Sequence, residues 1–140
     1  ETVGISSSNR VDITAVNDGV YINSRKMSDS GWVDLSSYLA SGISGTLKIR
    51  IIDGLAYLAM SCSGFRVASM TSVTLTSALP AKYLPRSDFP TDRITGTSGF
   101  YSGVVSLYLT GGNTGLIKMQ NLESGTADNC HCTFTPYALG

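Results

Sequence analysis

The sequence predicts an all-β protein: an antiparallel β-sandwich or barrel preceded by a short β neck. Three observations carry this. Apolar and polar residues alternate over short runs along most of the chain. Fifteen glycines, with abundant Ser and Thr, punctuate those runs. No stretch of helix length carries an apolar period of 3.6.

The elements follow in order. Val11, Ile13 and Ala15 alternate with polar residues, Asn17-Asp18-Gly19 turns the chain, and Val20 and Ile22 alternate again. This short hairpin has too few apolar side chains to form a core, and isolated hairpins are marginal in water. It must dock on the main domain or on copies of itself. Ser24 to Gly31 reads as a linker, so residues 1–30 are expected as a neck and 31–140 as the main domain. Val33 to Ile43 suits a strand end and loop as well as one helical turn.

Gly45 to Cys62 is a β-hairpin on Asp53-Gly54, because a two-residue Asp-Gly turn supplies the positive φ that tight hairpins need. That turn sets the register: Ile52 opposite Leu55, Arg50 opposite Tyr57, Leu47 opposite Met60. One face is then wholly apolar (Leu47, Ile49, Ile51, Ala56, Leu58, Met60) and the other carries Thr46, Lys48, Arg50, Tyr57 and Ser61. Arg50 over Tyr57 is expected as a cross-strand cation–π pair. The apolar face should close on Val73, Leu75, Val105, Leu107, Ile117 and Phe134.

Ser63-Gly64 should end that hairpin, with a further run from Phe65 to Leu79. Leu79 to Pro90 is a Pro-bounded loop. Strands are expected over Ile94–Tyr101, Gly103–Leu109, Leu116–Leu122 and Asn129–Thr135. The last places Cys130, Cys132 and Phe134 on one face. Trp32 reads as a packing residue joining neck to main domain.

Composition narrows the function. The chain is 42% hydrophobic, enough for a core, and only 14% charged, with formal net charge zero. An ordinary soluble domain has roughly 25% charged residues, and scarce charge accords with surface hidden in an oligomer. There is no basic stripe, which argues against nucleic acid as a partner. No apolar run approaches the ~20 residues that span a bilayer, which argues against a membrane. No signal peptide opens the chain, and Glu1-Thr2-Val3 looks like the start of a fragment of something longer. Three cysteines cannot all pair within one chain. They read as small buried hydrophobes in a reducing compartment, with a Cys62 bridge to Cys130 or Cys132 as the alternative in a secreted protein.

Chemistry is sparse. His131 is the one histidine, and in a strand it points away from Cys130 and Cys132, so these neighbours make no Cys-His nucleophilic pair. G-x-S-x-G, H-E-x-x-H and Walker-type loops are absent. Cys-His-Cys has the wrong spacing for zinc. The acids Asp34, Asp53, Asp88, Asp92, Glu123 and Asp128 lie mostly in turns, where Asp belongs for backbone reasons. No enzyme activity, metal or cofactor is expected.

Taken in order, Gly31-Trp32-Val33-Asp34-Leu35, Gly45-Thr46-Leu47-Lys48-Ile49-Arg50, Asp53-Gly54, Leu79-Pro80 with Tyr83 and Pro85, Gly115-Leu116-Ile117 and Thr133-Phe134-Thr135-Pro136-Tyr137 form a pattern. It resembles the C-terminal head of receptor-binding proteins, or tail fibre tips, of siphophages that infect Gram-positive bacteria, such as lactococcal and Listeria phages. The resemblance covers about residues 31–140, and residues 1–30 resemble the neck or shoulder of such fibres. It implies a homotrimer in the virion tail tip, assembled in the host cytoplasm. It also implies contact with tail or baseplate proteins through a missing N-terminal part, and binding of host cell-wall saccharide. Val104, Tyr108 and Leu116 are then candidates to meet a neighbouring subunit.

Saccharide sites place aromatic rings under a sugar's apolar face and satisfy hydroxyls with polar side chains, usually on loops held by a rigid sheet. The richest cluster runs from Tyr83 to Tyr101, and the expected ligand-binding residues are Tyr83, Arg86, Asp88, Asp92, Arg93 and Tyr101. The alternatives are a bacterial adhesin or secreted carbohydrate-binding module, and a cell-wall polysaccharide depolymerase.

Overall fold

The computed structural model describes residues 2–5, 11–16, 19–22, 25–98 and 103–139. The all-β expectation holds: thirteen strands and three short 3-10 turns make up the described elements. Four strands, β1 (Thr2–Ile5), β2 (Val11–Val16), β3 (Gly19–Ile22) and β4 (Arg25–Met27), form an antiparallel sheet of their own. The β2–β3 hairpin has the expected strands, with Ile13 opposite Ile22 and Ala15 opposite Val20. Asn17 and Asp18 of its turn lie outside the described residues. Its shortage of core is visible, since Val16, Val20, Ile22 and Met27 are all exposed.

The linker reading of Ser24 to Gly31 is corrected. Arg25–Met27 pairs with β3, and β5 (Asp29–Asp34) already belongs to the main sheet. Few apolar residues occupy this stretch, so alternation could not reveal strands held by backbone pairing. β5 is also fastened through polar groups. Arg50 donates to Asp29 from Nε at 3.0 Å and from Nη2 at 2.5 Å, and Ile51 N–H donates to Ser30 Oγ at 2.8 Å. The Arg50 guanidinium is therefore spent on a carboxylate, and it makes no cation–π pair with Tyr57, although the two are opposite as expected. The Arg50 hydrogen bonds, with a further one from Gly31 N–H at 2.9 Å, hold the Asp29 carboxyl down at about 2, against an ordinary 3.8. A depressed carboxyl stabilises the fold above its unfolded pKa, and the contribution disappears as pH falls through the folded value. Asp29→Asn should therefore lower the melting temperature modestly near neutrality. The gap to wild type should close between about pH 4 and about pH 2. A gap that persists at the acid end contradicts this assignment.

The main sheet continues with β6 (Ser44–Ile52), β7 (Leu55–Val67), β8 (Ser72–Thr74), β9 (Arg93–Ser98), β10 (Gly103–Tyr108), β11 (Ile117–Asn121), β12 (Ala127–Phe134) and β13 (Tyr137–Ala138). Its order is β5-β6-β7-β12-β9-β10-β11-β8, with β13 extending the pairing on β7. The β6–β7 hairpin has the expected register from Ile52–Leu55 to Leu47–Met60. Its two strands present Leu47, Ile49, Ala56, Leu58 and Met60 to the core. There they join Leu75, Val105, Leu107, Ile117 and Phe134, with Val73 packed at the margin.

The sheet curls into a half-barrel. Beyond β5 the chain makes a 3-10 turn over Ser36–Tyr38, and Leu39 then bridges to Thr76, just beyond β8. Ala40 N–H donates to Leu75 O at 2.9 Å and Ser77 N–H to Tyr38 O at 2.8 Å. The two edge regions thereby satisfy backbone groups that an open sheet would leave bare.

Ser63-Gly64 does not end β7. Buried positions run Ala56, Leu58, Met60, Cys62, then resume at Phe65 and Val67, with Ser63 and Gly64 both exposed between them. The strand changes phase by a bulge, and its register with β12 shifts at the same place. Gly64 takes φ +90°, and a Cβ there would lie 2.6 Å from Gly42 O. The phase change broke the alternation that marks a strand in the sequence.

Asn121 closes the other end of the core. Fully buried, it donates from Nδ2 to Val67 O at 3.0 Å and Gly125 O at 2.8 Å, and its Oδ1 accepts from Glu123 N–H at 2.9 Å. One side chain thus ties β7 to the β11–β12 connection, with its polar atoms matched.

Candidate functional site

Two surfaces have the composition of a ligand site. The first is the loop from Leu79 to Asp92, where sequence placed the binding residues. It contains a 3-10 turn over Ala81–Tyr83. It is anchored from beneath: the buried Tyr137 donates its hydroxyl to Tyr83 O at 2.7 Å, while Tyr83, Leu84 and Phe89 pack against the core. At its far end Leu109 N–H donates to Asp92 O at 2.8 Å. Burial pushes the Tyr137 hydroxyl well above its ordinary pKa, so it stays a neutral donor. Tyr137→Phe removes that bond and strands the carbonyl, at a cost of about 1–2 kcal/mol. Amide exchange across residues 81–92 should quicken in this variant while the β6–β7 hairpin stays protected; equal exchange in both proteins would deny Tyr137 the anchoring role.

The expected residues divide. Arg86 and Asp88 come together as a bidentate pair, Nε to Oδ1 at 3.0 Å and Nη2 to Oδ2 at 2.6 Å. Each moves the other's pKa, Asp88 downwards and Arg86 upwards, through that hydrogen bond. Both are exposed, so the pair orders the loop tip more than it stabilises the fold. Arg86 lines a depression of about 400 Å³ together with Lys82, Phe89, Thr91 and Thr110. Arg93, at the start of β9, lines a smaller depression of about 190 Å³ beside Thr95, Thr135 and Tyr137. Phe89 and Thr91 line both, so they form a shared wall between Arg86 and Arg93. Asp88 and Asp92 are exposed and line neither. Tyr83 is half-buried, and the Lys82 ammonium lies 5.0 Å from its ring centroid. Tyr101 lies outside the described residues.

The second surface was not singled out as a site. It is a groove of about 580 Å³ on the outer face of the main sheet, opposite the core. Strand pairing lays Lys48, Ala59, Thr133 and Thr97 side by side across β6, β7, β12 and β9, with Thr46, Ser61 and His131 in the next row. Ser61 Oγ and His131 Nδ1 are hydrogen-bonded at 2.8 Å. Trp32 stands at one side, 53% exposed. Expected as a packing residue joining neck to main domain, it is turned by the pleat of β5 to the outer face. Among the described residues, none lining this groove carries a carboxylate. The groove offers an indole face, hydroxyls, an imidazole and an ammonium, which suit binding. The signals were partly present, since hairpin register puts Thr46, Lys48 and Ser61 on one face. The pairing of β12 between β7 and β9, which completes the rows, is non-local.

The three cysteines are free and buried. His131 is exposed on the opposite face of β12, as alternation requires. The hydrogen bond with Cys62, together with burial, pushes the Cys130 thiol far up, and burial pushes Cys132 up to about 12. Val104, Tyr108 and Leu116, expected to meet a neighbour, are half-buried within the single chain.

No family model matches this chain, and no curated protein matches it. Among solved structures it is similar to the crystal structure of the head domain of phage bIL170, a receptor-binding domain of a lactococcal phage. The identity is 21% and the TM-score 0.52, and the match covers 79% of this chain and 98% of that one. This chain and that head domain share a fold.

Proposed function

We propose that this chain is the head, with part of the neck, of a phage receptor-binding protein at the virion tail tip. In this reading it attaches the particle to cell-wall saccharide, a polysaccharide or glycosylated teichoic acid, of a Gram-positive host without cleaving it. The observation that carries the proposal is the likeness of fold, which takes in nearly the whole of the bIL170 head domain. In this division residues 1–30 are the neck and 31–140 the head, with the chain already entering the head's sheet at Asp29. Three chains associate, and contact with tail or baseplate proteins is made at the neck end. Support for association comes from Val16, Val20, Ile22 and Met27 of the four-stranded sheet, which stay exposed among the described residues. Support for attachment without cleavage comes from the carboxylates: Asp29 is engaged by Arg50, Asp34 by Ser36 and Asp88 by Arg86. Each of these three carboxylates is already engaged, whereas a glycosidase pair needs two carboxyl groups free to act on the scissile bond.

Saccharide contact is assigned to Tyr83, Arg86, Asp88 and Asp92 on the loop that Tyr137 and Phe89 hold still, to Arg93 at the start of β9, and to Tyr101. Each site is weak, and three sites on each trimer, with several trimers per virion, supply avidity.

The test uses the 140-residue chain, labelled, against a panel of Gram-positive cells that includes lactococci. Binding should survive protease treatment of the cells, fall after periodate oxidation of their glycans, and be competed by purified wall polysaccharide without release of reducing sugar. Light scattering should return a trimer. Binding that protease abolishes and periodate spares would sink the saccharide reading. Released reducing sugar would replace it with a depolymerase.

A further inference from the structure

Cys62 and Cys130 stand directly opposite each other where β7 pairs with β12, in the middle of the main sheet. Both face the core: Cys62 is 4% exposed and Cys130 fully buried. Directly opposed residues bring their Cβ atoms to about 4.5–5.5 Å, close to the ~3.5–4.5 Å that a disulfide asks for. Cys132 is placed differently. It pairs with Met60 on β7 and Ser98 on β9, and its Sγ packs over Gly96, where an added Cβ would come within 2.1 Å of it. The register therefore singles out one pair and one spare thiol.

We propose that Cys62 and Cys130 are a latent redox staple, which a peroxide closes into a disulfide clamping β7 to β12 while Cys132 stays a thiol. The chemistry balances. The Cys62 sulfur, as thiolate, attacks one oxygen of hydrogen peroxide. The O–O bond breaks, and the leaving hydroxide takes up the proton that Cys62 lost, giving water and a sulfenic acid. The Cys130 sulfur then attacks the sulfenic sulfur. The S–S bond forms, and the sulfenic hydroxyl leaves with the Cys130 proton as a second water. Two thiols lose two electrons and one peroxide is reduced to two waters. Cys62 reacts first because it is the more accessible. The closed loop contains β8 to β11, so the bridge shrinks the unfolded ensemble and raises stability. A protein made in a reducing compartment and used outside it would gain this staple on the way. The inference stands apart from the receptor reading.

The experiment treats the native 140-residue chain with hydrogen peroxide, quenches with catalase, then alkylates under denaturing conditions. The expected product has lost two hydrogens and carries one alkyl group, on Cys132. A non-reducing digest should recover the peptide joining Cys62 to Cys130. The oxidised protein should melt higher by roughly 5 °C or more, reversibly with dithiothreitol. Cys132→Ala should keep the bridge. Three alkylated cysteines, a bridge that includes Cys132, sulfinic acid at Cys62, or a melting point that ignores the bridge would each overturn the proposal. The wild-type digest decides the pairing even if a cysteine variant fails to fold.

Discussion

Gly45→Ala unfolds the protein at temperatures where the wild type is native. Gly45 lies opposite Cys62 at the open end of the β6–β7 hairpin, with φ +135°. A Cβ there would sit 2.1 Å from Ser61 O and 2.7 Å from Cys62 Cα, and both are backbone atoms of the central strand. No rotamer change relieves such a contact. Either β6 leaves β7 at that point or the backbone strains, and β7 is held on its other side by β12. Strain at a left-handed backbone costs about 1–3 kcal/mol and overpacking about as much again, so the loss is about 3 kcal/mol or more. For a chain of this size the melting point should fall by roughly 10 °C. Gly125→Ala is the control, since nothing lies within 4 Å of its added Cβ. Circular dichroism melts of the two variants decide the matter. A Gly45→Ala protein that melts within a degree or two of Gly125→Ala would show that the strands part there at little cost.

The second large effect is on binding. Asp88→Ala combined with Arg93→Ala should abolish attachment to cells, by on the order of 100-fold or more, while fold and assembly persist. The fold is spared because both side chains are exposed, and the loop is held by the Tyr137 hydroxyl, Phe89 and the Leu109 amide. Binding is lost because two charged partners for sugar hydroxyls disappear from each subunit, and avidity multiplies the deficit. Trp32→Ala, made in parallel, should leave attachment unchanged. If instead Trp32→Ala abolishes attachment and the loop variant retains it, the contact lies in the groove across the outer sheet face.

The contrast between these surfaces shows how far sequence reasoning reached. The loop cluster was visible because Arg86, Asp88, Asp92 and Arg93 fall within eight positions, yet Phe89 and Thr91 part Arg86 from Arg93 into two depressions. Linear density of charge says nothing of which side of a wall each group takes. The groove was only partly visible: hairpin register put Lys48 and Ser61 on one face, but Thr97 and His131 join them through the non-local pairing of β12 with β7 and β9. Arg50 is a similar case. Its cross-strand neighbour Tyr57 was legible from the turn, whereas its actual partner Asp29 came from β5, in a stretch without apolar alternation.

By itself the sequence determined the all-β class, the register of the Asp53-Gly54 hairpin, its buried face and the burial of the three cysteines. All of these rest on local rules, namely turn chemistry and a period of two. Only the tertiary structure decided that β7 runs on through Gly64, that the sheet curls until Leu39 meets Thr76, and that Cys130 rather than Cys132 stands opposite Cys62. Those outcomes depend on which distant strands satisfy each other's backbone groups, and such pairings leave no periodic mark in the sequence.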